Sequence, residues 1–158
     1  MPSTPAVLHH FRRLQRLPAG RWLFSRLVCL RAPYFASIAP RIDVLEPGRC
    51  EARIAHRRRV TNHIGTVHAI ALCNLAELCA GLLTDVSIPA DMRWIPKGMT
   101  VEYLKKASGT MHAVATPSIP PVSAAEGYEL PVDVVVRDGD DDAVFTALIR
   151  MWVSPRHR

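Results

Sequence analysis

Lysine is absent from the first 60 residues of this 158-residue chain, although that stretch carries twelve arginines against three acidic residues. Residues 61–158 hold eight basic residues against eleven acidic, so the net charge of +6 conceals a basic first third. Without lysine there, and without aromatic residues interleaved with basic ones on a strand pattern, a nucleic-acid-binding surface is not indicated; phosphate groups on a small ligand stay open. The four cysteines, Cys29, Cys50, Cys73 and Cys79, form no CxxC pair of the kind that ligates zinc, and are expected to be reduced core residues of a cytoplasmic protein. The first apolar stretch, Trp22 to Leu30, is broken by Arg26, is followed by no small-residue cleavage pattern, and is too short to span a bilayer.

What is present fits one domain: about half of the residues are apolar, enough for a real core at this length. Apolar positions at Val7, Leu8, Phe11, Leu14 and Leu17, then at Trp22, Leu23, Leu27 and Leu30, predict two short amphipathic helices separated by Pro18 and Gly20. Their basic faces suit an anionic membrane, but packing over the open side of a core is the favoured expectation. Alternation at Ile42, Val44, Ala52 and Ile54 around Glu46-Pro47-Gly48-Arg49 predicts a hairpin. A long helix follows from about residue 67. Pro89, Pro96 and Gly98 then read as a loop, and strands are expected over 99–106, 110–116, 128–137 and 143–153. The pattern is an α+β fold in which an antiparallel sheet curves around one long helix, with an N-terminal helical extension (1–33) and a main unit (34–158).

The segment His68 to Leu83 is apolar on almost every side yet carries Glu77 in its third turn. An ionised carboxylate enclosed in such surroundings is costly unless paired, hydrated or used, so a buried functional site is expected around it. Upstream, Gly65 permits a tight turn and Thr66 is a plausible N-cap, leaving the free N–H groups of the first helical turn to bind an anion or an oxyanion. Ala69 lies eight residues before Glu77, roughly 12 Å along a straight helix. One copy of the helix therefore cannot bring both groups to one carbon, and a symmetric dimer with sites built from both chains is predicted.

The run from Asn62 to Gly81, with Val101-Glu102-Tyr103-Leu104-Lys105-Lys106-Ala107, resembles the hotdog-fold acyl-CoA thioesterases, particularly the phenylacetyl-CoA thioesterase-like branch. That family carries an Asn, a His-Gly-Gly at the helix start and an acidic residue nine positions after the His; Asn62, His68 and Glu77 keep this spacing, and the resemblance covers roughly residues 40–155. It implies a cytoplasmic homodimer or tetramer hydrolysing acyl thioesters, as in fatty acid metabolism. Glu77 would be general base or nucleophile, the Ala69 N–H the oxyanion donor, and Asn62 a residue orienting water or the carboxylate. No metal or cofactor is implied, coenzyme A being part of the substrate. Two departures stand out: Ala69-Ile70 replaces Gly-Gly, with the Ile70 side chain narrowing the thioester's approach, and the acid is Glu where the branch usually has Asp. A hydratase-type pairing of Asp and His is not evident.

Each of these residues also has a structural reading. Glu77 could pair with a donor of a second protomer, Asn62 could satisfy loop backbone, and His68 could find a backbone partner at the helix start. Arg57-Arg58-Arg59 could be a solvated strand end or could meet the phosphates of coenzyme A together with Lys105 or Lys106. Trp94 could pack in a core or line the acyl tunnel. A non-catalytic acyl-thioester-binding protein is the alternative from another class.

Overall fold

The computed structural model describes residues 5–156; residues 1–4 and 157–158, at the outer ends of the two expected segments, lie outside the described residues. Six strands form one antiparallel sheet in the order β1-β2-β4-β5-β6-β3. They are β1 (Arg41–Glu46), β2 (Arg49–Ile54), β3 (Met92–Tyr103), β4 (Met111–Pro117), β5 (Tyr128–Arg137) and β6 (Ala143–Pro155). Three helices accompany them: α1 (Ala6–Leu14), α2 (Gly20–Arg31) and α3 (Ala69–Ser87).

Strand β5 has the bounds that its alternation predicts, and the alternation explains the architecture. Leu130, Val132, Val134 and Val136 are buried, while Glu129, Asp133 and Arg137 on the other face are exposed. Several inward positions of neighbouring strands are small, Ala52 on β2, Ala113 and Ala115 on β4 and Ala147 on β6, among larger ones such as Met111, Phe145 and Ile149. Small side chains on the concave face let α3 approach closely, and α3 meets them with small residues of its own, Ala76, Cys79 and Ala80, flanked by Leu75 and Leu83 at 0% exposure. By length and hydropathy α3 is long and apolar enough to cross a membrane, but 67% of that stretch is buried inside this fold, which makes it the core helix.

One strand departs from expectation. The stretch around Pro96 and Gly98, read as a loop, is part of β3, which begins at Met92 and ends at Tyr103, short of Lys105 and Lys106. β3 is the sheet's edge and pairs only with β6, so a proline without an N–H costs no ladder bond on its open side, and a register shift between Pro96 and Gly98 absorbs the irregularity.

The two N-terminal helices form as the apolar spacing predicts and pack on the same core. Leu8, Phe11 and Phe24 are buried within it, and the rings of Phe11 and Phe24 meet edge-on at 5.0 Å between centroids. Their junction needs glycine at position 20, where a Cβ would fall 1.7 Å from the Leu14 carbonyl oxygen. α2 is tied to the sheet through buried Ser25, whose hydroxyl donates to the Arg21 carbonyl (2.7 Å) and accepts from the Ile42 N–H (2.9 Å).

Because Leu75 is wholly enclosed between α3 and the sheet, Leu75→Ala should lower unfolding stability by about 2–5 kcal/mol. Urea denaturation monitored by circular dichroism measures this, with the midpoint moving down at unchanged slope.

Candidate active site

The first turn of α3 is prepared by the loop before it. His68, not Thr66, is the N-cap: its Nδ1 accepts from the Ile70 N–H at 3.0 Å, so the ring proton resides on Nε2. The His68 carbonyl takes the N–H groups of Ala71 (2.9 Å) and Leu72 (3.3 Å). Among the described residues none accepts from the Ala69 N–H, the donor expected to hold an oxyanion. Thr66 is drawn away from the capping role because Asn62 engages it at both ends. Asn62 Oδ1 accepts from the N–H groups of Thr66 and Ile64 (3.1 Å each), and Asn62 Nδ2 donates to Thr66 Oγ1 (2.8 Å). The loop turns at Gly65, whose φ of +81° favours glycine. Asn62 thus spends its hydrogen bonds closing this loop. His56 pins it from outside, bridging the Gly65 carbonyl and the Gly109 N–H at 3.0 Å each, a role no sequence spacing announces.

Glu77 is not buried within the chain; its side chain is exposed, which corrects the expectation of an enclosed carboxylate. The reason lies in the helix's orientation. Buried positions on α3 face the sheet and the N-terminal helices, whereas Ile70, Cys73, Glu77, Gly81 and Asp85, spaced three or four apart, form one stripe that the fold leaves partly or fully open. Glu77 stands on that stripe at the side of an apolar cavity of about 630 Å³. The cavity lies between α3, β3 and the N-terminal helices, and Trp94 shares it with Glu77. The outer edge of the Trp94 ring abuts Gly81, where a Cβ would sit 3.1 Å from it, and its Nε1 donates to Asp85 Oδ1 at 3.4 Å.

The remaining candidates separate. Ile70, 54% exposed, flanks the N-terminus of α3 and borders a second, smaller cavity of about 170 Å³ together with His68 and Arg59. Arg57, Arg58 and Arg59 are exposed, and among the described residues none of them forms an ion pair. Lys105 is engaged by Asp142 and by Asp138 (3.6 Å), so the two candidate lysines are not equivalent; Lys106 is exposed. Among the described residues no group of three or more His, Cys, Asp or Glu side chains is arranged to hold a metal ion.

Two residues at this site escaped sequence reasoning. Asn74, 6% exposed, borders the smaller cavity; its Nδ2 donates to Ser37 Oγ at 3.2 Å, while its Oδ1 has no partner among the described residues. A lone Asn in an apolar helix was the available signal. Tyr103, at the end of β3, shares a hydrogen bond of 3.3 Å with Cys73 on the open stripe. That bond, with partial burial, pushes the phenol up to about 12.

A family model described as "Domain of unknown function (DUF4442)" matches residues 20–153. Among solved structures, a structural-genomics crystal structure is 49% identical over 95% of this chain and 99% of its own, with a TM-score of 0.81. A thioesterase from Haemophilus influenzae is 15% identical, covering 77% of this chain and 82% of that one at a TM-score of 0.67. A thioesterase family protein from Silicibacter pomeroyi is 19% identical, covering 84% and 96% at a TM-score of 0.67. No curated protein matches the chain. The fold is the hotdog fold that the sequence resemblance implies.

Two measurements check the local chemistry. His68→Ala removes the cap and should cost about 1 kcal/mol of stability, as read by thermal unfolding. Cys73→Ala should bring the Tyr103 phenol back toward its ordinary value, as read by phenolate absorbance. In the parent protein the neutral phenol is favoured by folding, so its contribution is intact below pH 10 and is lost as pH rises through about 12; the variant should lack this decline.

Proposed function

The chain belongs to the DUF4442 family, and from that premise and the hotdog fold we propose that it hydrolyses acyl thioesters, of coenzyme A or an acyl carrier protein, as a homodimer or a tetramer of such pairs. The observation that carries this reading is the position of Glu77: a carboxylate at the side of a carbon-lined cavity, on the one stripe of α3 that its own sheet does not cover. β3 supports the dimer, since an edge strand of twelve residues offers unpaired backbone groups to a second copy. A two-fold arrangement would bring the partner's α3 N-terminus toward Glu77, which a single chain keeps roughly 12 Å from its own Ala69.

In this mechanism Glu77 takes a proton from water as the water oxygen adds to the thioester carbonyl. The Ala69 N–H of the second protomer holds the resulting oxyanion, aided by the positive end of the α3 dipole. Collapse of the tetrahedral species breaks the C–S bond, and the thiolate leaves and is protonated, giving carboxylic acid and thiol. With Glu77 as nucleophile, an anhydride would form first and water would release the acid from it. His68 and Asn62 act by position: one caps the helix that presents the donor, the other fixes the loop leading into it. Arg57, Arg58, Arg59 and Lys106 are the cations free to meet the phosphates of the carrier, whereas Lys105 is held by its aspartates. Free thiols at all four cysteines support a reducing compartment such as the cytoplasm.

A second reading has one observation behind it. The exposed Ile70 side chain stands beside the Ala69 N–H where the resembled family has glycine, which favours a protein that binds acyl thioesters without turning them over.

Glu77→Gln separates the two. It should reduce kcat on acyl-CoA by about 100-fold or more while the mass in solution stays that of the parent, as measured by thiol release and light scattering. Equal turnover in parent and variant would overturn the role given to Glu77.

A further inference from the structure

We infer that the cavity roofed by the N-terminal helices receives an unbranched aliphatic acyl chain, and that α1 and α2 set the chain length accepted. This rests on the reading of Glu77 as the place where the thioester carbonyl sits.

The walls are carbon. Val7 of α1 and Phe24, Leu27 and Val28 of α2 face Leu78 and Leu82 of α3 across the space. The polar residues of the lining are few: Glu77, His10, Arg31 and Asp85. His10 and Arg31 are exposed, and Asp85 accepts from the Trp94 indole. Most of the wall offers no hydrogen-bond partner, so a hydroxyl, amide or second carboxylate carried on the acyl group would lose much of its hydration there. The volume of about 630 Å³ lies in the middle of the range for ligand cavities, roughly 300–1,000 Å³, well above what an acetyl group fills.

The α3 residues of the lining run along the helix axis. From Glu77 the space follows α3 past Gly81 to Asp85, eight residues or roughly 12 Å. Gly81 contributes no side chain to this path, and the outer edge of the Trp94 six-membered ring abuts it, 3.1 Å from where a Cβ would stand. An extended chain advances about 1.2 Å per bond, by the same geometry that gives a polypeptide about 3.6 Å per three-bond residue. The path therefore matches about ten carbons. Val7 and His10 of α1 border the space, so the helical extension acts as the gauge.

The test uses the full-length protein and non-hydrolysable thioether analogues of acetyl-, hexanoyl-, decanoyl-, hexadecanoyl- and phenylacetyl-CoA, with affinities from calorimetry. Affinity should rise about fourfold per added methylene as far as the decanoyl analogue and then level off, with the phenylacetyl analogue below decanoyl. Val28→Trp and Leu27→Trp fill the roof and should move the plateau to shorter chains. Leu27 is 46% exposed, which makes its variant the safer for folding, and circular dichroism confirms the fold of each. Equal affinity from acetyl to decanoyl, or Trp variants that bind decanoyl like the parent, would overturn the assignment. Length-graded binding without thiol release from the true thioesters would remove the hydrolytic reading and leave this one standing. Hydrolysis without length dependence would do the reverse.

Discussion

The structure depends on the fit of α3 against a concave sheet face in which alanines and valines alternate with larger apolar side chains such as Met111, Phe145 and Ile149. That fit fixes how the helix is rotated about its axis, since Leu75, Cys79 and Leu83 must point into the sheet to lose contact with water. Once the rotation is fixed, so is the opposite stripe, and Glu77 has no freedom to be anywhere but on it. The helix's N-terminus is placed by the same packing, with the Val67 N–H bonded to the Ala107 carbonyl and the His68 N–H to the Val60 carbonyl, both at 2.8 Å. A packing constraint thus sets the positions of both groups that the proposed chemistry uses.

Much of the fold is legible in the sequence because period-2 and period-3.6 patterns report burial directly. The Val132-Asp133-Val134 alternation marks β5 to the residue, and the Pro47-Gly48 turn marks the hairpin. What the sequence conceals follows from neighbours distant along the chain. Pro96 argues against a strand unless the strand is known to be an edge, and edge status belongs to the whole sheet. Glu77 reads as enclosed because the helix is apolar nearly all round, but an apolar residue such as Ile70 can lie on an open stripe as readily as on a closed one. The choice between His68 and Thr66 as cap turns on the side chain of Asn62, which takes Thr66 into its own loop. The pairing of Tyr103 with Cys73 joins residues thirty positions apart.

The N-terminal helices are more than an appendage. The family match begins at Gly20, the first residue of α2, and Leu8, Phe11 and Phe24 share the buried cluster that holds α3. Their arginines are exposed, Arg31 at the cavity among them, while their apolar faces complete the core and wall the main cavity.

The Ser25 hydroxyl joins α2 to the first strand at a point where no water competes. Losing that hydroxyl while the helix stays in place would leave the buried Ile42 N–H without a partner, a penalty of about 1–3 kcal/mol. The covering over the cavity is thus tied to the sheet by a buried hydrogen bond as well as by the shared apolar cluster.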